Sequence, residues 1–162
     1  MVTKKSTASY RFGDLLALAR QSWIRQMAEG LEELGYDDYR RTDAALVRQL
    51  RRGPLSIGRL GSALGVTRQA ARKVADGLER RGLATLARDG ADGRQTMVSL
   101  TAQGQAYAEA VISVIERLNR DLAARVDPSD LAAADAVLRA VLADEHTLRL
   151  AGYLAEPVDG PE

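Results

Sequence analysis

The chain has 162 residues, of which 46% are hydrophobic and 28% charged, which is typical of one globular domain or of a small domain with a helical extension. It contains no cysteine, which excludes disulfides, thiolate metal sites and thiol redox sensing, and its single histidine, His146, cannot form a zinc site with others of its kind. No apolar run is long enough for a signal peptide or a membrane span. We therefore expect a cytoplasmic protein with no membrane partner and no cofactor.

The net charge is only +1, but it is unevenly distributed along the chain. Residues 40–94 contain 13 Lys and Arg against 5 Asp and Glu, so this segment carries +8 and the remainder of the chain −7. A basic middle segment between acidic ends is the pattern expected when one part of a protein faces a polyanion. The distribution therefore indicates a nucleic-acid partner for the middle segment.

The beginning of the chain predicts one long helix after a short tail. Residues 1–9 are small and polar, and we expect them to form a flexible tail. Apolar residues then recur at helical spacing from Tyr10 to Leu34, and Gly35 offers a C-terminal stop. A stripe this regular predicts a helix that packs against partner helices. Its members are Phe12, Leu15, Leu16, Ala19, Trp23, Met27, Leu31 and Leu34.

Three shorter helices are predicted to follow in succession. We expect Thr42, Ser56 and Thr67 to cap them, because the hydroxyls of these residues can accept the free N–H groups of a first helical turn. Gly53-Pro54 ends the first of the three, and "LGV" at 64–66 forms the turn between the other two. Two short helices joined by a tight glycine-containing turn predict a helix-turn-helix.

A β-hairpin and a helical C-terminal part complete the predicted order. "LATLAR" (83–88) and "TMVSL" (96–100) have the composition of strands, and the polar, glycine-rich loop at 89–95 joins them. Thr101 is expected to cap a long helix, which Asp127-Pro128-Ser129 separates from a last helix. A helix-turn-helix followed by a hairpin is a winged helix. Because helices form most of the predicted elements, the fold class is mainly α.

Four short motifs occur in order between residues 54 and 104. They are "LxxxLGV" at 60–66, "LExRGL" at 78–83, the D-x-R of Asp92 and Arg94, and "LTxxG" at 100–104. In this order they resemble the MarR family of transcriptional regulators, and helices of matching length extend the resemblance over residues 10–150. Two positions depart from the family: Gly93 stands where a first wing arginine is frequent, and Gly77 lies inside the recognition helix, where it costs about 1 kcal/mol relative to alanine.

The resemblance implies a division of the chain into two lobes. A winged helix-turn-helix lobe over residues 40–101 would bind DNA, and residues 10–39 with residues 102–154 would form a helical dimerisation lobe. Residues 155–162 are rich in proline, glycine and acid, and we expect a second flexible tail there.

The helix that begins at Arg68 has cations in its first half, where the positive end of the helix dipole disfavours them. Arg68 would contact phosphate, Arg72 could bond a guanine edge and Gln69 an adenine, while Asp76 could hold the Arg72 side chain in place. By the resemblance, Arg94 in the wing would enter the minor groove. The alternatives are solvated surface side chains on the helix and an Arg94–Asp92 ion pair. The predicted DNA-binding residues are Thr67, Arg68, Gln69, Arg72, Lys73, Asp92 and Arg94.

The resemblance also implies a small-molecule cavity between the two lobes. Aromatic side chains with one buried cation would suit an aromatic acid or a phenol. The alternative is that the same residues belong to the core or to a dimer interface. The candidate ligand-binding residues are Trp23, Met27, Tyr36, Tyr39, Arg48 and Tyr107.

The leading hypothesis is a homodimeric, sequence-specific regulator that binds a pseudo-palindromic operator in double-stranded DNA. We expect a repressor that a small ligand releases. A winged-helix adaptor that binds proteins instead of DNA is the alternative, and it would require an acidic or apolar recognition surface. An enzyme is a more distant possibility, because the sequence offers no catalytic cysteine, one histidine and no phosphate-binding loop. The apolar residues expected at the dimer interface are Leu15, Leu16, Val137, Leu138, Val141 and Leu142.

Overall fold

A computed structural model describes residues 11–88, 90 and 95–142, and within these residues it shows six helices and one small antiparallel sheet. The mainly helical winged-helix order predicted from the sequence is confirmed. In chain order the elements are α1 (Phe12–Glu32), α2 (Arg41–Leu50), β1 (Leu55–Ser56), α3 (Ile57–Leu64), α4 (Arg68–Arg80), β2 (Ala84–Arg88), β3 (Thr96–Leu100), α5 (Ala102–Ala123) and α6 (Pro128–Val141).

Three of the four predicted helix caps are present. The hydroxyl oxygens of Ser56, Thr67 and Thr101 each accept the backbone N–H three residues ahead, at 3.3, 3.2 and 3.0 Å respectively. The prediction for Thr42 is wrong, because α2 begins one residue before it. Arg40 is the extended residue at the start of this helix, and its carbonyl already accepts the N–H of Ala44 at 3.0 Å. Thr42 therefore lies inside the first turn.

The sheet contains one strand that the sequence analysis did not predict. β1 is only two residues long, and it pairs with β3 through Leu55 opposite Val98 and Ser56 opposite Met97. The strand order is β1-β3-β2, so the hairpin of β2 and β3 carries a short third strand on its β3 edge. This pairing attaches the start of α3 to the middle of β3.

The core is formed by α2 to α5, by the hairpin and by the second half of α1. In α1, Met27 and Leu31 are buried, whereas Phe12 and Leu15 at the other end of the predicted stripe are exposed. No residue of α6 is buried against the rest of the described chain. The largest fully buried side chains are Leu31, Leu46, Leu50, Leu60, Leu78, Val47, Val98, Val111 and Val114.

The end of α4 is bonded directly to the start of α5. Gly82 has a φ of +71° and ends α4, and its carbonyl accepts a hydrogen bond from the Thr101 hydroxyl at 2.6 Å. The Thr101 N–H donates to the carbonyl of Leu83 at 3.1 Å. A Cβ added at Gly104 would overlap that same carbonyl. These contacts are the physical reason for the "LTxxG" motif, and we call them the α4–α5 junction.

Within the described residues, no helix combines the length and the hydropathy that crossing a membrane requires.

Candidate nucleic-acid interface

The turn between α3 and α4 presents α4 on the surface of the domain. Gly65 ends α3 with φ 65° and ψ 32°, a conformation that favours glycine, and Thr67 starts α4 two residues later. One face of α4 then packs inward, with Ala71, Ala75 and Leu78 fully buried. The opposite face is available to a partner.

The DNA-binding residues predicted on α4 all lie on its accessible face. Arg68, Gln69, Arg72 and Lys73 are exposed, and so is Thr67, whose hydroxyl caps the helix. The structure therefore brings together the cations in the first half of the helix, where the free N–H groups also point outward. An anion that approaches this end of α4 therefore meets both the positively charged side chains and the free N–H groups.

The guanidinium of Arg72 donates hydrogen bonds to two neighbouring side chains. Its Nε donates to Asp76 Oδ1 at 2.8 Å, as the spacing of the two residues predicted, and its Nη1 donates to the hydroxyl of Thr96 on β3 at 3.4 Å. Each terminal nitrogen of a guanidinium carries two N–H groups, so donors remain for a base edge or a phosphate. The two contacts fix the direction in which these donors point.

A cleft of about 430 Å³ lies between α4 and the start of β3, at the loop end of the hairpin. We call it the wing-side cleft. It brings three of the predicted contact residues next to α3 and β3. Its lining residues are Ile57, Arg68, Gln69, Arg72 and Thr96.

The predicted wing contacts lie outside the described residues. This applies to Asp92, to Arg94 and to the departure at Gly93, and His146 is outside as well. The paired strands end with Arg88 opposite Thr96, so the segment containing Asp92 and Arg94 connects β2 to β3. The contacts of these two residues with DNA therefore stay a prediction.

A buried ion pair that was not predicted from the sequence lies beneath α4. Arg81 Nη2 lies 2.5 Å from Asp43 Oδ2, and the Asp43 side chain is only 7% exposed. Burial raises the pKa of Asp43 above its usual value, against the opposing effect of the Arg81 and Arg40 charges. Arg81 follows the end of α4, where a cation would complement the helix dipole, and its guanidinium binds a carboxylate of α2.

A signal for this pair is present in the sequence. Leu46, Val47 and Leu50 form the buried face of α2, and Asp43 precedes them by three, four and seven residues. These are the spacings of one helix face, so an aspartate at this position must face the core. A buried carboxylate needs a cation or several hydrogen bonds, which points to an arginine on the packed neighbour.

The residues predicted to bind a ligand lie in and around the core. Met27 and Tyr107 are buried, and the Tyr36 and Tyr107 rings lie 5.0 Å apart at 54°. Trp23 and Tyr39 pack on the edge of the core. These contacts agree with the alternative interpretation as core residues.

Two polar groups of this set are partly or fully shielded from water. Arg48 is half-buried, and burial together with the neighbouring Arg52 lowers its pKa. The Tyr107 hydroxyl is buried and has no hydrogen-bond partner among the described residues. Burial and the negative charge of Asp43 raise the pKa of Tyr107 to about 12, so the hydroxyl keeps its proton and can donate it to a hydrogen bond.

These features define the class of the molecule. A helix-turn-helix with an exposed basic recognition helix, followed by a β-hairpin and flanked by long helices, is a winged helix-turn-helix protein. Comparison with known proteins shows which family of winged helix-turn-helix proteins the chain resembles. Residues 38–95, from the segment before α2 to the end of the loop before β3, match the model of the MarR family. Comparison with curated protein sequences finds no match.

Solved structures share the fold over most of the chain. A probable transcriptional regulator from Pseudomonas aeruginosa is 27% identical, with 81% of this chain and 96% of that chain covered and a TM-score of 0.64. S. aureus MepR in complex with DNA has 19% identity, coverage of 83% and 98%, and a TM-score of 0.70. Bordetella bronchiseptica BpsR, whose DNA binding is regulated by 6-hydroxynicotinic acid, has 23% identity, coverage of 83% and 95%, and a TM-score of 0.67. Residues 38–95 are therefore similar to the MarR family, and the fold of these solved structures extends over more than four fifths of the chain.

Proposed function

We propose that the chain is a homodimer that binds a pseudo-palindromic operator and represses transcription until a small aromatic ligand releases it. The observation that carries the DNA-binding part is the accessible face of α4, where Arg68, Arg72 and Lys73 are exposed at the end of the helix that disfavours cations. Contacts of these cations with phosphate and with base edges would compensate for their unfavourable interaction with the helix dipole. MepR, which shares the fold, has been solved in complex with DNA, and this supports DNA binding by the present chain.

Each polar residue of this face has a role that suits its chemistry. Arg68 lies in the first turn and contacts phosphate, together with the free N–H groups of that turn. Arg72, oriented by Asp76, donates to the O6 and N7 atoms of a guanine, and Gln69 bonds an adenine. Lys73 adds charge toward the backbone. Residues 40–101 form the DNA-binding lobe in this proposal.

The homodimer is supported by apolar side chains that the single chain leaves uncovered. Leu15 on α1 is 58% exposed, and Val137, Leu138 and Val141 on α6 are 44–49% exposed. Exposed apolar side chains grouped on one helix face, as on α6, are typical of an interaction site. Leu16 and Leu142, which the sequence also predicts at the interface, are half-buried.

Two-fold symmetry would place the two copies of α4 about 34 Å apart, in successive major grooves. Light scattering at micromolar concentration should therefore give twice the chain mass, and titration should give two chains per operator. A monomer that binds DNA with one chain per site would contradict the dimer.

The small-molecule part is supported by the buried hydroxyl of Tyr107 and the half-buried guanidinium of Arg48. A carboxylate and a ring would satisfy both, and BpsR shows that a protein of this fold responds to a hydroxylated aromatic acid. The ligand must bind one arrangement of the lobes more tightly than another in order to release DNA. Calorimetry against a panel of aromatic acids and phenols tests this, and it fails if none gives heat or changes the DNA affinity.

The DNA-binding part is tested by binding sheared genomic DNA at increasing salt and by sequencing the retained fragments. We expect a steep fall of affinity with salt and enrichment of one inverted-repeat sequence. The adaptor alternative predicts neither result, and the exposed surface of α4 is basic rather than acidic or apolar. Retention that is independent of salt, with no enriched sequence, would favour the adaptor.

A further inference from the structure

A second cleft lies on the side of α4 opposite the wing-side cleft. It has a volume of about 280 Å³ and separates α4 from the first turn of α2. We call it the α2-side cleft. None of its lining residues is shared with the wing-side cleft, so α4 stands between two depressions of the surface. Its lining includes Arg40, Asp43, Lys73, Gly77, Arg80 and Arg81.

The α2-side cleft has an excess of positive charge. Of its four cations, Arg81 is paired with Asp43 in the cleft wall, and Arg40 is paired with Asp38 at 2.8 Å. Lys73 and Arg80 are exposed, and no carboxylate of the described residues lies within ion-pair distance of either. Two uncompensated cations therefore face the opening of the cleft.

Gly77 keeps the cleft open beside these cations. It is buried within α4, where glycine lowers helix stability relative to alanine. A Cβ added at this position would lie 3.4 and 3.5 Å from the terminal nitrogens of Arg81 and 3.8 Å from Arg80 Nη2. These are ordinary contact distances, so packing does not require glycine here. The added methyl group would occupy space directly beside two guanidinium groups.

We propose that the α2-side cleft binds a backbone phosphate of the DNA strand that lies on the side of α4 away from the wing. The inference rests on the proposed function and extends it to residues outside the predicted contact set, Arg80 and Gly77. A helix with its side chains is about 10–12 Å wide and the major groove about 12 Å, so both strands pass close to the flanks of an inserted helix. The wing-side cleft faces one strand and the α2-side cleft the other.

The spacing of the two free cations fits this role. Lys73 and Arg80 are seven residues apart on α4, which is two turns or about 10 Å along the helix. They can therefore follow a strand rather than converge on a single atom. Phosphate contacts on both flanks of α4 would fix how the helix is oriented in the groove, which base contacts alone define less completely.

The first test neutralises the free cations one at a time. Arg80→Gln and Lys73→Gln should each weaken operator binding about three- to tenfold and reduce the slope of log affinity against log salt by about one ion. Arg120→Gln is the charge-matched control, because Arg120 is exposed on α5, far along the chain from α4. It should change neither quantity, and the oligomeric state of all three variants should equal that of the wild type.

The second test locates the phosphate. Operators are prepared in which one backbone phosphate at a time is an uncharged methylphosphonate. When the replaced phosphate is the one bound in the α2-side cleft, the replacement should weaken operator binding by the wild type. It should then have little further effect on operator binding by the Arg80→Gln variant. Elsewhere the two changes should be additive. Inorganic phosphate is titrated in parallel, to detect a free anion as the occupant.

The third test uses the glycine. Gly77→Ala should raise Tm by about 2–4 °C, because alanine is the better helix former, and should still weaken operator binding several-fold. Gly13→Ala is the matched control, since a Cβ at Gly13 has nothing within 4 Å. It should leave operator affinity unchanged.

The inference is overturned if Arg80→Gln and Gly77→Ala bind the operator as the wild type does, or if the cleft binds inorganic phosphate while no methylphosphonate position is coupled to Arg80. In those cases a sequence-specific wild-type protein would leave the proposed function intact. A wild-type protein that binds no DNA would overturn both.

Discussion

Asp43 and Arg81 form a buried ion pair that joins the first turn of α2 to the residue after α4, with 2.5 Å between Asp43 Oδ2 and Arg81 Nη2. The Asp43 side chain is 7% exposed and that of Arg81 25%. Neither group can recover its full hydration if the other is removed. The pair therefore stabilises the position of the recognition helix on the domain.

We expect Arg81→Met to lower the free energy of unfolding by about 3 kcal/mol at pH 7, because it leaves a buried carboxylate without its cation. The control is Arg25→Met, which removes an exposed pair with Glu29 at 3.7 Å and should change stability by less than about 0.5 kcal/mol. Urea unfolding of both variants measures the difference. An Arg81→Met loss no larger than that of the control would contradict the assigned role.

The same variant should show a defined pH dependence. Burial raises the pKa of Asp43 above 3.8, so the folded chain holds this proton more tightly than the unfolded chain. Ionisation of Asp43 therefore lowers the free energy of unfolding as the pH rises from the unfolded pKa to the folded pKa. Without Arg81 the folded pKa rises further and this interval widens. The deficit of Arg81→Met relative to wild type should be larger at pH 7 than at pH 4.

Gly104→Ala should destabilise the protein by more than about 3 kcal/mol, because the added Cβ overlaps the carbonyl of Leu83. That carbonyl cannot move freely, since it also accepts the N–H of Thr101. Thermal unfolding alongside Gly13→Ala, which adds a methyl group in open space, measures the effect. Equal Tm values for the two variants would show that the α4–α5 junction is not tightly packed.

Arg72→Ala should weaken binding to the preferred operator by about 1–3 kcal/mol and relax discrimination at one base pair. Asp76→Ala should act differently. It releases Arg72 Nε and removes a negative charge near the phosphates, so discrimination should fall while affinity for non-specific DNA rises. Binding to a set of single-base operator variants separates the two effects. Unaltered discrimination in both variants would mean that Arg72 contacts no base.

Arg94→Ala should weaken binding across many sequences and reduce the salt slope by about one ion, as expected for a cation in the minor groove. Its loss of binding free energy should add to that of Arg72→Ala, because the two residues are predicted to contact different grooves of the DNA. Affinity measurements on the double variant at several salt concentrations test this. With an unchanged salt slope, the wing would have no electrostatic contact with DNA, consistent with the missing cation at Gly93.

The sequence predicted the elements whose signals are local. Ser56, Thr67 and Thr101 cap the helices they were expected to cap, because each cap needs only a hydroxyl and a free N–H three residues ahead. It did not predict β1, since two residues are too few for a periodic pattern and pairing with β3 alone defines the strand.

Ion pairs within one helix could be predicted from the sequence more easily than ion pairs between helices. Arg72 and Asp76 are one turn apart on one helix, so their ion pair follows from spacing. Asp43 and Arg81 lie on different helices, and only the packing of α2 against α4 brings them together. The α2-side cleft escaped prediction for the same reason, because its two walls are distant in sequence.

The α4–α5 junction has a mechanical consequence. It bonds the residues that end α4 to the first turn of α5, which leaves no flexible segment between them. α5 has 22 residues and is about 33 Å long, so a tilt of about 5° about its far end would displace the junction by about 3 Å. One base pair rises about 3.4 Å along DNA. An angular change too small to disturb the packing of α5 against α1 and α2 would therefore shift α4 by nearly one base-pair step.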